Sequence, residues 1–101
     1  MQEIASLVAD LAATPEGNGS VLDNTCILLM NDMNEGANHW VGEVPYLIIG
    51  GAGGFFKQGQ TVTLPHTVPN NQLLTTLCHA MGLEIASIGA YSGDLDSVLR
   101  A

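Results

Sequence analysis

The hydrophobic pattern of the chain predicts an α/β fold built around two short apolar runs. The first run extends from Thr25 to Met30 and the second from Val44 to Ile49, and neither alternates with polar side chains. Runs of this length that are apolar on both faces are typical of buried strands in a covered sheet. A helix is the competing interpretation of the first run, but Thr25 and the Asn-Asp pair after the run favour a strand that ends in a loop.

Two amphipathic helices are predicted to flank these strands. Residues 3 to 13 place apolar side chains on one helical face, and this helix ends before Pro15 because a residue that precedes proline is pushed out of the helical region. Residues 71 to 81 form the second helix, with Asn70 as its cap and Gly82 as its stop. Its apolar stripe consists of Leu73, Leu74, Leu77, Cys78 and Met81.

The other segments predict turns and one short strand. Gly50 to Gly54 is a glycine-rich turn, and because no helix opens after it, a tight turn or a close backbone approach is favoured over phosphate binding. Residues 60 to 64 alternate polar and apolar side chains and predict an edge strand, and residues 94 to 99 predict a last helical turn. The expected fold is therefore α/β, a small mixed sheet flanked by helices, in a single domain of residues 1 to 101 that can be a fragment of a larger domain.

Composition and charge limit the partners. Ten acidic residues against two basic ones give a net charge of −8, which excludes nucleic acid and anionic membranes as partners and favours cations. Only 12% of the residues are charged, whereas 47% are hydrophobic. We therefore expect part of the apolar surface to be covered by another copy of the chain or by a missing part of the same protein. The sequence shows no signal peptide and no run long enough to span a membrane, and the compartment stays open.

Four cysteine and histidine residues are predicted to have structural roles. Cys26 and Cys78 lie in apolar segments, where a cysteine behaves as a small buried hydrophobe, and whether they form a disulfide is left open. His66 and His79 are interpreted as structural or exposed residues rather than as metal ligands.

The polar loop between the two apolar runs carries the candidate chemistry. Asp32, Glu35 and His39 offer carboxylate and imidazole ligands, and Asn31 adds a neutral oxygen. These groups suit a divalent metal such as zinc, manganese or calcium. Their spacing matches no strict ligand signature, so a solvated acidic loop is the alternative. No nucleophile with an adjacent base can be identified, and no catalytic residue is assigned.

Three segments between Gly19 and Leu83 read GSVLDNTCILLMNDMNEGANHW, VPYLIIGGAGGFFKQGQTVTLP and NNQLLTTLCHAMGL. Their order resembles the C-terminal part of a secreted bacterial uncharacterised family, which is known for a His-x-x-Ser-His-His motif and is placed near the alkaline phosphatase-like superfamily. The resemblance implies that Asp32 is a metal ligand and that His39 matches a later histidine ligand. Met33 and Asn34 occupy the position of the superfamily's His-Gly pair. The half that brings the nucleophile, and the naming motif, would lie upstream of the residues present here.

Two functions are predicted on this basis. The first is the C-terminal metal-binding part of a phosphatase- or sulfatase-like hydrolase that lacks the nucleophile half and acts on phosphate or sulfate esters only within a larger protein. The alternative is a non-catalytic interaction or self-assembling module with a solvated acidic loop. The expected partner is either a second copy, in a homo-oligomer, or the missing remainder of a larger domain.

Overall fold

The computed structural model describes residues 1–31, 37 and 44–101. These residues form a mixed α/β arrangement of helices and antiparallel strand pairs. The helices are α1 (Gln2–Ala13), α2 (Asn70–Ala80) and α3 (Asp96–Leu99), and 3-10 turns cover Val21–Asn24 and Ala52–Gly54. The strands are β1 (Pro15–Glu16), β2 (Gly19–Ser20), β3 (Ile27–Met30), β4 (Tyr46–Ile49), β5 (Ser87–Ile88) and β6 (Tyr91–Ser92).

The two predicted apolar strands are confirmed as β3 and β4. They pair antiparallel, with Ile27 opposite Ile49 and Met30 opposite Tyr46. The pairs β1–β2 and β5–β6 are also antiparallel and form separate two-stranded sheets. The described strands therefore form three pairs instead of the single small mixed sheet expected from the sequence.

Both predicted long helices are confirmed, and local chemistry explains their ends. At the end of α1, the Thr14 hydroxyl donates to the Asp10 carbonyl at 2.7 Å, and the backbone turns extended before Pro15. At the end of α2, Gly82 has a φ of +86° and its N–H donates to the His79 carbonyl at 3.0 Å. Glycine is favoured there because the left-handed region is strained for other residues. Asn70 is the first residue of α2, and the cap position is Pro69.

The glycine-rich turn makes the close backbone approach that was predicted. Gly50 has a φ of +100°, and a Cβ built on it would overlap the Thr25 carbonyl oxygen. A Cβ on Gly51 would lie 2.6 Å from the Asp23 carbonyl oxygen. The turn after β4 is therefore pressed against the backbone that leads into β3, and glycine is needed there for space as well as for conformation.

The predicted edge strand at residues 60–64 is wrong, since this segment is exposed and contains no strand. Its alternating pattern has no described strand to pair with, and alternation alone does not make a strand. The segment is held instead by contacts such as the one in which the Gln60 side-chain amide donates to the Val98 carbonyl at 3.0 Å.

The core of the described residues is small and lies near the C-terminus. Its large apolar side chains are Phe56, Leu73 and Leu95, which are 5%, 6% and 7% exposed. Phe56 forms an isolated β-bridge with Arg100, and the Lys57 N–H donates to the Leu99 carbonyl at 2.8 Å. This core fixes the end of the chain, and with it α3, against α2.

The cysteines are free thiols in the structure, and both are half-buried. Burial raises the pKa of the Cys26 thiol, which favours its neutral form. Both residues are therefore less buried than the sequence predicts. Among the described residues there is no helix with the length and apolar character needed to cross a bilayer.

Candidate functional site

Most of the predicted metal loop lies outside the described residues. Asp32, Glu35 and His39 belong to this part of the chain. Asn31 is described: it is exposed at the end of β3, where it lines a groove of about 150 Å³ together with β3 and β4 side chains such as Tyr46. A metal site at the four residues therefore stays a prediction.

A different cluster of metal-ligating groups lies between α2 and α3. His79 comes from the last turn of α2, Asp94 precedes α3, and Asp96 is its first residue. One ligand atom from each of these three residues lies within 4.8 Å of the others. The group can hold a metal ion, since an imidazole and two carboxylates are common ligands of divalent ions.

The imidazole of His79 is buried between two acceptors. Its Nε2 donates to the Ile85 carbonyl at 2.7 Å, and its Nδ1 lies 2.9 Å and 3.0 Å from the two carboxylate oxygens of Asp96. Only 8% of His79 is exposed. A ring that donates to both partners is an imidazolium, so the hydrogen bond to Ile85 and then the one to Asp96 raise the pKa of His79 above its ordinary value.

The Asp96 carboxylate is held from several sides. Burial would raise its pKa, but hydrogen bonds from His79, Thr76 and Arg100, together with the charge of His79, leave the pKa of Asp96 below its ordinary value. Arg100 donates to Asp96 at 3.3 Å, and the Asp96 backbone N–H donates to the Asp94 carboxylate at 2.9 Å. Asp96 is therefore charged at neutral pH and well positioned.

Thr76 completes the connection between α2 and the start of α3. Its side chain has no exposed surface, and its hydroxyl accepts a hydrogen bond from the Leu95 N–H at 2.7 Å. This hydroxyl lies one helical turn before His79 on the same face of α2. Both residues thus attach this face to the segment that carries Asp94 and Asp96.

An open cleft of about 470 Å³ lies beside the cluster. His79, Glu84, Arg100 and Phe55 line it, and the remaining lining is alanine and glycine. The guanidinium of Arg100 lies 4.8 Å from the centre of the Phe55 ring and 3.9 Å from the Glu84 carboxylate. This lining contains no serine, threonine or cysteine, so the described residues give the cleft charged groups but no nucleophile.

The sequence prediction located His79 correctly on a helix and interpreted it as structural or exposed. The structure shows His79 buried and hydrogen-bonded to Asp96, and it shows His66 exposed. Asp94 and Asp96 were not identified as site residues. The pairing of His79 with Asp96 joins residues 17 apart, and no local pattern in the sequence indicates it.

No family model, curated protein or solved structure matches this chain.

Proposed function

We propose that this chain is the C-terminal α/β unit of a larger phosphatase- or sulfatase-like hydrolase domain, and that its own role is non-catalytic. In this role β3 and β4 become interior strands of a sheet that the rest of the domain completes. The observation that carries the proposal is the exposure of the β3–β4 pair, whose sequence is that of covered strands.

All eight residues of β3 and β4 are apolar or aromatic, yet none of them is buried. Met30 is 45% exposed and Leu47 is 44% exposed. In the antiparallel register these two side chains lie on opposite faces of the pair, since Met30 shares its face with Tyr46 and Leu47 shares its face with Leu29. Both faces are therefore partly uncovered.

Covering these faces would stabilise the chain appreciably. Complete burial of a leucine contributes about 1.5–3 kcal/mol, so covering the exposed 44% of Leu47 contributes about 1 kcal/mol. A two-stranded sheet is at best marginally stable in water, and its outer edges can accept further strands. The pair thus gains both packing and hydrogen bonds from added elements.

The helices support the same proposal. No residue of α1 is buried, and Leu7 on its predicted apolar face is 47% exposed. In α2, three of the four buried residues, Thr75, Thr76 and His79, lie on the side opposite the predicted apolar stripe, and Leu73 is the one buried residue of the stripe. Within that stripe Met81 is 62% exposed. The chain therefore leaves apolar surface on the β3–β4 pair, on α1 and on α2.

The remainder of a larger domain fits this surface better than a second copy does. One symmetric contact covers one face or one edge of the strand pair, whereas the apolar surface lies on both faces and on two helices. Two copies with a charge of −8 each also repel one another. The family resemblance adds that an upstream half belongs with these segments.

Light scattering combined with binding of the dye ANS tests the proposal. We expect a monomer that enhances ANS fluorescence, and we expect Leu47→Glu to reduce the enhancement because it places a charge on the apolar face. Leu83→Glu is the matched control, since Leu83 is exposed but lies outside β3 and β4. A stable dimer that Leu47→Glu dissociates would identify a second copy as the partner, and an absence of dye binding would refute the uncovered face.

The loop of Asp32, His39, Glu35 and Asn31 belongs to the same proposal. Asp32 and His39 are proposed as ligands of zinc, manganese or calcium, with Glu35 or Asn31 in support. The ion would polarise a phosphoryl or sulfuryl oxygen, while the nucleophile would come from elsewhere in the protein. Elemental analysis of the purified chain checks this, because Asp32→Ala is expected to lose the ion and unchanged metal content would contradict it.

A further inference from the structure

The environment of His79 is that of a metal-ligating histidine. Its Nε2 is occupied by the Ile85 carbonyl at 2.7 Å, so its Nδ1 is the nitrogen that faces Asp96. Metal-ligating histidines commonly donate their other ring N–H to a backbone carbonyl in this way, which fixes the tautomer and the orientation of the ring. The fold therefore positions Nδ1 rigidly in front of a carboxylate.

The spacing of the ligand atoms fits a coordination shell. Nδ1 of His79 lies 2.9 Å from Oδ1 of Asp96, a gap that a proton bridges when the ring is protonated and that a metal ion can bridge when the ring is neutral. With metal–ligand bonds of about 2.1 Å, adjacent ligands lie roughly 3.0 Å apart in an octahedral shell and roughly 3.4 Å apart in a tetrahedral one. An Asp94 carboxylate oxygen within 4.8 Å of the other ligand atoms supplies a third ligand after a small adjustment.

The local charge suits a divalent ion. The guanidinium of Arg100 lies 3.9 Å from Glu84 and 3.3 Å from Oδ2 of Asp96, and Asp94 adds a third carboxylate to the cluster. With a neutral His79 these groups carry a net charge of −2. Asp94 is exposed and His79 borders the open cleft, so an ion and its remaining water ligands can reach the cluster.

We propose that His79, Asp94 and Asp96 form a binding site for one divalent transition-metal ion of the manganese or zinc class. Imidazole favours these ions over calcium and magnesium, which prefer oxygen ligands. The site is separate from the Asp32–His39 loop and does not depend on the partner proposed for β3 and β4.

Calorimetric titration of the full chain with Mn²⁺, and then with Zn²⁺, in an excess of Ca²⁺ tests the site. We expect one saturable ion that is retained when Asp32 and His39 are replaced by alanine, and we expect Asp94→Asn to weaken its binding at least about tenfold, as is typical when a metal site is altered. Asparagine keeps an oxygen that accepts the Asp96 N–H, so this variant retains the local fold. Asp10→Asn is the matched control, because it removes one exposed acidic group from α1, and we expect unchanged binding.

Arg100→Gln gives a second readout that a purely structural cluster would not produce. Removal of a positive charge beside Asp96 is expected to tighten metal binding by about tenfold, because a charge about 5 Å from a divalent ion acts on it strongly even through water. Circular dichroism of each variant shows whether the fold is retained.

Three results would overturn the site: no saturable binding, displacement of the ion by Ca²⁺, or binding that Asp94→Asn leaves unchanged. Loss of the ion in Asp32→Ala and His39→Ala with retention in Asp94→Asn would assign the metal to the polar loop instead. Leu47→Glu, which tests the apolar face, is expected to leave metal binding unchanged, so failure of one proposal can be distinguished from failure of the other.

Discussion

Replacement of Thr76 by valine tests how α2 is attached to the C-terminal segment. Valine has nearly the same shape as threonine but lacks the hydroxyl that accepts the Leu95 N–H at 2.7 Å and donates to the Asp96 carboxylate. Thr76 has no exposed surface and Leu95 is 7% exposed, so water cannot replace the lost acceptor. A buried donor without a partner costs about 1–3 kcal/mol, and we expect Thr76→Val to lower the free energy of unfolding by about 2 kcal/mol.

Two control variants separate the hydrogen bond from packing. Thr76→Ser keeps the hydroxyl and removes one methyl group, which costs about 1 kcal/mol. Thr75 is also completely buried, but its hydroxyl donates to the Asn71 carbonyl of the same helix at 2.9 Å. Because that carbonyl keeps its helical partner, we expect Thr75→Val to cost less than about 1 kcal/mol.

Urea unfolding followed by circular dichroism measures these differences. For a protein of this size the unfolding free energy falls by about 1–1.5 kcal/mol per molar urea, so a loss of about 2 kcal/mol lowers the midpoint by between about 1 and 2 M. The argument is refuted if Thr76→Val is as stable as the parent chain, or if Thr76→Ser is the more damaging of the two substitutions at this position.

Two further predictions concern pH and the glycine-rich turn. The pKa of His79 is raised above its ordinary value of 6.5, so the stability it contributes is complete below pH 6.5 and is lost as the pH rises through the pKa of the folded state. The pKa of Asp96 is lowered below its ordinary value of 3.8, so the stability it contributes is present above pH 3.8 and is lost as the pH falls through the pKa of the folded state. In the presence of a chelator the urea midpoint should therefore be highest between these two values, and a midpoint that rises steadily from pH 5 to pH 8 would contradict the paired geometry. Gly50→Ala is expected to lower the free energy of unfolding by about 3 kcal/mol or more, because the added Cβ overlaps the Thr25 carbonyl oxygen and the backbone φ is left-handed. Gly54 also has a left-handed φ, of +89°, but a Cβ added there meets open space, so Gly54→Ala should cost about 1–2 kcal/mol. Equal midpoints for the two alanine variants would refute the close approach.

The elements that could be predicted from the sequence are those that local chemistry determines. The ends of α1 and α2 depend on residues within one turn, namely Thr14 before Pro15 and the left-handed Gly82. β3 and β4 were recognisable because their apolar runs are continuous. The segment 60–64 has the pattern of a strand but no described neighbour, and a pattern cannot supply the partner that a strand needs.

The candidate metal cluster could not be predicted for a different reason. His79 and Asp96 are joined by the turn after α2 and by β5 and β6, and only the way these pieces pack brings Nδ1 to 2.9 Å from the carboxylate. The loop around Asp32 is easier to recognise, because its potential ligands lie within nine positions of the sequence. Proximity along the chain is easy to read, whereas ligands that come from two helices require the tertiary structure.

The site and the apolar surface are connected through the orientation of α2. Its polar face is attached to the C-terminal segment by the Thr76 hydroxyl and by His79, and the side-chain amide of Asn71 donates to the Ile88 carbonyl at 2.9 Å. These bonds direct the polar face inward. Leu73, at the start of the apolar stripe, still packs in the small core, whereas Met81 at the end of the stripe is 62% exposed. Burying polar groups that are fully hydrogen-bonded costs little free energy. With its polar face inward, α2 keeps the exposed end of its apolar stripe available to pack against another part of the protein. Thr76→Val should therefore loosen α2 and raise ANS binding while it lowers stability, whereas Leu47→Glu should lower ANS binding, because it places a charge on the exposed apolar face.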